Sequence, residues 1–202
     1  MLQIYHVPRT RSIRAIWLCE ELGVPYEAVP VEFTAEFKNS PGWRAISPTG
    51  KVPAMADGDF TMFESGAMVQ YILEKHGGGR LVPEPGSRDS ALCLQWSWFA
   101  EATLARPLGD VVHHTLLKPE AERIPAVVED ATERARTCLD ALEHTLADRD
   151  YLLGSEFCVA DIMMGYSTSL AKHLGILDDR YAGVMAYQAR LEARAAWQRT
   201  MA

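Results

Sequence analysis

The sequence predicts an α/β domain followed by an all-helical domain, and three observations predict it. Apolar runs of strand length alternate with helical patterns as far as Gly77. A stretch rich in Gly and Pro, "GGGRLVPEPGSR", then breaks the pattern. Beyond it the strand signals stop and long helical periodicities fill the chain. The 202 residues suit one large domain or two small ones, and 48% hydrophobic against 23% charged residues is the balance of a soluble globular protein.

The elements follow in order. "LQIY" is a short apolar strand, and "HVPRTR" a polar loop after it. "SIRAIWLCEELG" is helical, with Ile13, Ile16, Trp17 and Leu18 on one face and Gly23 as a C-terminal stop. "YEAVPVEF" reads as a second strand whose Pro30 suits an edge. A polar connector runs from Thr34 to Gly50. "KVPAM" and "DFTMFE" are two short strands joined by a turn at "ADG", and "SGAMVQYILEKHG" is a helix with Met68, Ile72 and Leu73 at helical spacing. The order β-α-β, connector, β-β-α implies a mixed sheet flanked by helices. After the linker come four helical stretches. Pro107 should kink or end the first, and "VADIMMGYSTSLAKHLGIL" is apolar almost all round, so it should be the buried centre of its domain.

The formal charge of −7 argues against non-specific nucleic-acid binding and against a polybasic membrane anchor, while leaving an anionic ligand open. No apolar run reaches membrane-span length, and "MLQIYHVPRT" lacks the pattern of a signal peptide. Cys19, Cys93, Cys138 and Cys158 form no Cys-x-x-Cys pair, which suggests reduced thiols in a cytoplasmic protein.

Two features carry chemistry. Pro53 cannot donate to a sheet ladder. If Val52–Pro53 is cis, the backbone N–H and C=O of Val52 face outward and can pair with an extended peptide. Local sequence alone favours a trans proline at an edge-strand start. Glu64-Ser65 opens a helix. Ser65 as N-cap, with the positive helix end, can hold a carboxylate, and Glu64 beside it an ammonium group, so the pair can recognise an α-amino acid end. A plain capped helix with a solvated glutamate fits the same two residues.

Together, "PTGKVPAM…DGDFTMFESGAMVQYILEKHG" resembles the glutathione-binding segment of cytosolic glutathione S-transferases of the Ser/Thr type, in bacterial-like form. "YHVPRTRSIRAIWLCEELGVPYE", "LQWSWFAEATLARPL" and "LLGSEFCVADIMMG" extend the resemblance over nearly the whole chain. It implies a glutathione transferase fold: a thioredoxin-like glutathione-binding domain over residues 1–78, a linker at 79–88 and an all-α helical domain over 89–202, usually in a homodimer. It also implies a cis Pro53. Val52 should pair with the cysteinyl part of glutathione, and Glu64 and Ser65 should bind its γ-glutamyl end. Lys51 matches a position that often contacts the peptide, and Lys38 the region that meets the glycyl carboxylate, with Asn39 a weaker candidate.

The activity implied is conjugation. Glutathione is the co-substrate, no metal is called for, and its thiol attacks a small hydrophobic electrophile. A free thiol has a pKa near 8.5, and a hydroxyl donor with a helix N-terminus aimed at sulfur favours the thiolate. Thr10 aligns with the family's serine and is the preferred donor. Ser12 is the second choice, and loop and cap roles for both stay open. Tyr5 should pack within its strand. Arg9 or Arg11 can add positive charge at this loop, and Arg14 should lie on an exposed helix face or at the domain boundary. The absence of Cys from "PRTR" disfavours disulfide exchange. The resemblance puts the second substrate in a hydrophobic pocket near Trp96, Phe99, Thr103 and His113, and helical spacing sets Trp96, Phe99 and Thr103 on one face with Trp98 on another. Adjacent His113 and His114 point about 100° apart with no third ligand, which rejects a metal site. Cys158 replaces a capping Ser or Thr, a weaker acceptor, so Ser155 is an alternative cap. The competing functions are a weakly catalytic or non-catalytic glutathione-fold binding protein, and a glutathione-dependent isomerase or peroxidase.

Overall fold

Four strands and ten α-helices succeed one another in the computed structural model, which describes every residue from Met1 to Ala202. The chain divides into two units, Met1–Arg80 with Arg194–Ala202, and Leu81–Ala193. No helix is long and apolar enough to cross a membrane.

In the first unit, β1 (Leu2–His6), α1 (Ser12–Leu22) and β2 (Tyr26–Pro30) are followed by α2 (Ala35–Asn39) and α3 (Pro41–Ile46), then β3 (Ala54–Asp57), β4 (Phe60–Phe63) and α4 (Ser65–Ile72). The sheet order is β2-β1-β3-β4. β1 pairs parallel with β2 and antiparallel with β3, and β3 with β4 is an antiparallel hairpin. Pro30 sits at the end of the edge strand β2, where its missing N–H costs no ladder bond. The hairpin turn is Gly58-Asp59, one residue later than the sequence suggests, because Asp57 still pairs with Phe60 and Gly58 takes the left-handed backbone (φ 65°).

The connector from Thr34 to Gly50 is not irregular. Thr34 caps α2 by accepting from Phe37 N at 3.1 Å, and Ser40 caps α3 by accepting from Trp43 N at 3.3 Å, with Pro41 at the first helical position. Two short helices with little apolar periodicity escape a pattern-based reading. Trp43 anchors them under the sheet, buried and set edge-on to Tyr5 with centroids 5.4 Å apart.

The second unit holds α5 (Arg88–Trp98), α6 (Ala105–Val112), α7 (Pro125–Leu146), α8 (Val159–His173) and α9 (Ala182–Glu192). The winding widens to a π-helical turn over Phe99–Leu104, just before Pro107. Pro107 has no N–H for the Thr103 carbonyl, and the Cys138 thiol approaches that carbonyl at 3.8 Å instead. α8 is buried along nearly its whole length from Val159 to Thr168, as its all-round apolar composition predicts. Its N-cap is Cys158 and not Ser155. Asp161 accepts from Cys158 N at 2.9 Å and from Leu152 N at 3.0 Å, so the acidic arm of the box tolerates the weak thiol arm.

α10 (Ala195–Met201), which the sequence groups with the helical stretches after the linker, packs on α1 within the first unit. Trp197 stands edge-on to Trp17 at 4.7 Å, and Arg194 holds Glu21 through two hydrogen bonds of 2.6 and 2.8 Å. Helical periodicity shows that a segment is amphipathic but not which partner takes its apolar face.

Candidate functional site

The first unit builds the site from three chain segments. The loop after β1 comes first. Arg9 has a positive φ of 63°, and the turn it makes brings Thr10 back over Val7: the Thr10 hydroxyl donates to the Val7 carbonyl at 2.8 Å. Thr10 Oγ1 lies 2.8 Å from Ser12 Oγ, and Ser12 Oγ lies 2.7 Å from His6 Nδ1. Ser12 is fully buried and Thr10 half-buried. The two candidate hydroxyls are thus linked to each other, and Thr10 is the one with a face to solvent. His6, a residue the sequence reading missed, completes the chain. Burial lowers its pKa, so the imidazole is neutral near pH 7. The signal was present in "YHVPRTRS" as a histidine six residues before Ser12, but only the folded loop brings the two together.

The second segment surrounds the cis Val52–Pro53 bond, which the structure confirms. Ser47 clamps the residue before Val52 from both sides: its hydroxyl donates to the Lys51 carbonyl at 2.8 Å and accepts from Lys51 N at 3.2 Å. Gly50 has a φ of 68°, and a Cβ there would lie 2.7 Å from the Lys38 carbonyl. Only glycine fits this approach of α2 to the Lys51 loop. Pro53 is buried, Val52 half-buried and Lys51 exposed. Lys38 sets its ammonium 4.8 Å from the centre of the Phe33 ring. Asn39 is committed elsewhere, accepting from Arg44 Nη2 at 2.6 Å and donating to the Ala35 carbonyl at 2.9 Å.

The third segment is the start of α4. Glu64, not Ser65, is the N-cap. Its backbone stands at φ 74°, ψ 108°, uncommon for a residue other than glycine, and Ser65 is the first helical residue. The consequence is a division of labour between neighbours: Glu64 is exposed, whereas Ser65 is buried at 2% exposure. Arg14 explains the burial. The sequence reading put it on an exposed face or a boundary, but it is fully buried and donates from Nη1 to Ser65 Oγ at 3.1 Å. Its stem counts among the buried positions of α1, where a charged residue is unexpected from composition alone. Arg9 is exposed and Arg11 half-buried.

The residues expected to line a hydrophobic pocket lie in the second unit. Trp96 is buried and meets Phe99 edge-to-face at 5.2 Å. Thr103 does not continue their face: the π-helical turn from Phe99 rotates it, and it is exposed. Trp98 projects outward at 66% exposure. His113 is exposed and His114 buried, with Nδ1 of His114 accepting from Ile124 N at 3.1 Å.

The comparisons with known proteins point to one family. The family description "Glutathione S-transferase, N-terminal domain" matches residues 1–74, and "Glutathione S-transferase, C-terminal domain" matches residues 125–199. Glutathione S-transferase F13 of Arabidopsis thaliana is 30% identical over 187 residues, 89% of this chain and 85% of that protein. The glutathione transferase URE2P8 of Phanerochaete chrysosporium, solved with oxidized glutathione, superposes with a TM-score of 0.87 at 27% identity, over 98% of this chain and 92% of that one. Glutathione transferase F7 of Populus trichocarpa reaches a TM-score of 0.89 over the full length of both chains, which at 23% identity speaks for the fold alone. The chain therefore belongs to the glutathione S-transferase family.

Proposed function

We propose that this glutathione transferase activates the thiol of glutathione through Thr10, with Ser12 and His6 behind it as positioning residues. The observation that carries the reading is the chain of contacts His6–Ser12–Thr10, 2.7 and 2.8 Å long, ending on a half-exposed hydroxyl at the start of α1. Each hydroxyl has one proton. One assignment uses every short contact: His6 Nδ1–H donates to Ser12, Ser12 to Thr10, and Thr10 to the Val7 carbonyl. When glutathione binds, Thr10 turns its proton from that carbonyl to the sulfur. Donors aligned in one direction polarise one another, so Thr10 becomes a better partner for a thiolate than an isolated hydroxyl. The first turn of α1 adds its positive end.

The thiol gives its proton to solvent, the thiolate attacks the electrophilic carbon, and an S–C bond forms. The backbone of Val52 before cis Pro53 pairs with the cysteinyl part of the peptide. Glu64 meets the γ-glutamyl ammonium from its exposed cap position. Ser65, whose hydroxyl is held by Arg14, presents the α4 amides to the carboxylate. Lys51 and Lys38 serve the glycyl carboxylate. The electrophile is a small hydrophobic molecule, and Trp96 and Phe99 offer the apolar surface suited to it. The enzyme acts as a homodimer in the cytoplasm. Turnover of an activated aryl halide with glutathione tests the reading: Thr10→Ala should lose most of the rate and Thr10→Ser should keep it. Equal rates for Thr10→Ala and the parent would refute the assignment.

A further inference from the structure

A guanidinium on α3 joins the two segments that carry Lys38 and Lys51. Arg44 Nη1 donates to the Pro48 carbonyl and Nη2 to Asn39 Oδ1, each at 2.6 Å. Asn39 is the last residue of α2 and the neighbour of Lys38, and Pro48 lies in the turn that leads to Lys51. A Cβ on Gly50 would lie 2.7 Å from the Lys38 carbonyl and 3.0 Å from Arg44 Cζ. The Lys38 backbone, the guanidinium and the Lys51 loop therefore pack with no room for a side chain among them.

This contact does what apolar burial does not do for α2. A five-residue helix is too short to hold itself, and α2 buries no residue completely. Its half-buried Phe37 meets Trp43 at 5.1 Å. At its end, Asn39 accepts from Arg44 and also donates to the Ala35 carbonyl at 2.9 Å, so the hold reaches the first residue of the helix. The charge pattern points the same way. From Lys38 to Lys51 the chain has three cations, Lys38, Arg44 and Lys51, and no Asp or Glu, against a net charge of −7 overall. Both partners of Arg44 are uncharged oxygens, so its positive charge stays available to an anion nearby.

We infer that Arg44 is a positioning residue that holds Lys38 and Lys51 to one carboxylate, and that this strap makes the site selective for thiol peptides whose C-terminal carboxylate is free. The inference rests on the reading that the two lysines serve the glycyl carboxylate, and it adds the residue that sets them and the selectivity that follows. The planar fork of a guanidinium fixes two acceptors relative to each other, which the single ammonium of a lysine does not. With both lysine backbones fixed, only the two side chains have to be ordered when a carboxylate binds. Without the strap, α2 and the Lys51 loop are free to separate, and the carboxylate meets one lysine at a time. An ester at the same end carries no charge for the lysines, so the benefit of the strap belongs to the free acid.

The test measures turnover by the full chain with glutathione and with its glycyl monoethyl ester, using one activated aryl halide. The parent should prefer glutathione in kcat/KM by at least about tenfold, the size of a charged hydrogen bond, and a Lys38→Ala, Lys51→Ala double variant should lose that preference. Arg44→Ala and Arg44→Lys should each lower it at least about threefold, through KM for glutathione and not through kcat. Asn39→Ala removes the other end of one bond and should act in the same direction. Arg44 and Asn39 are exposed, so these variants should keep the circular dichroism of the parent. A merely structural loss would slow both substrates alike. A parent without preference, or a double lysine variant that keeps it, would refute the reading of the lysines and the inference with it. Loss of preference in the double lysine variant but not in Arg44→Ala would leave that reading standing and overturn the inference alone. Parent-like selectivity of Arg44→Lys would also overturn it, since charge without the fork would then suffice.

Discussion

Arg14 reaches from α1 to the start of α4 and donates to Ser65 Oγ at 3.1 Å, with both residues buried. A guanidinium inside the unit fixes the helix end proposed to meet the γ-glutamyl group, so substitution should be felt both in folding and in binding. Arg14→Ala removes a charged hydrogen bond and leaves a cavity, an expected loss of about 3 kcal/mol in unfolding free energy. Urea denaturation measures it. Ser65→Ala should cost less, about 1–2 kcal/mol, and should weaken glutathione binding at least as much as it weakens the fold. Equal stability of Arg14→Ala and the parent would show that the contact contributes nothing.

Thr10 is the proposed donor to sulfur. A hydrogen bond to a charged acceptor contributes about 1.5–3 kcal/mol, so Thr10→Ala should lower turnover about tenfold to a hundredfold with little change in glutathione affinity. The rate should rise with pH through the pKa of the bound thiol, and that inflection should move up in the variant. Steady-state kinetics across pH reads both effects. An unmoved inflection would exclude Thr10 as the partner of the thiolate.

His6 should make the fold sensitive to acid. Its pKa is lowered by burial from an ordinary value of 6.5. Below that ordinary value the unfolded chain binds the proton more readily than the folded one. Stability is therefore full above about pH 6.5 and falls as pH drops toward the lowered pKa of the folded state. His6→Asn should flatten that part of the acid limb relative to the parent, and thermal melts from neutral to mildly acidic pH test this. The same variant should slow turnover less than Thr10→Ala, because His6 acts through Ser12. An unchanged acid limb, or a loss of rate equal to that of Thr10→Ala, would contradict the role given to it.

The C-terminal helix should stabilise the first unit. Trp197 packs edge-on to Trp17, and Arg194 grips Glu21 with two bonds. Trp197→Ala empties a buried aromatic site, at an expected cost of about 3–5 kcal/mol in denaturant titration. Glu21→Gln should cost far less, since one side of that ion pair is half-exposed. A Trp197→Ala variant as stable as the parent would show that α10 does not support the unit.

The sequence carried the architecture in its periodicities, and the structure shows where that information ends. β1, α1, β3 and α8 follow from apolar runs and a glycine stop, because burial of one face or of the whole element fixes the residue types. α2 and α3 were invisible because five- and six-residue helices are held by Thr34 and Ser40 caps and not by an apolar stripe. In the candidate site, Thr10, Ser12, Val52 and Glu64-Ser65 were named through the resemblance of their segments to a known family. Three relations were not. Arg14 reads as a surface charge until its distant partner Ser65 is known. His6 reads as a loop residue until the turn at Arg9 closes on Ser12. The exchange of cap and first-turn roles between Glu64 and Ser65 depends on a single backbone angle.

The pKa of glutathione's thiol when bound, read from the ultraviolet absorbance of the thiolate, bears most directly on the role of Thr10. The account predicts a value at least about one unit below the free thiol's 8.5 in the parent, kept in Thr10→Ser and returned close to the free value in Thr10→Ala. A parent-like pKa in Thr10→Ala, with the loss appearing in Ser12→Ala alone, would contradict it.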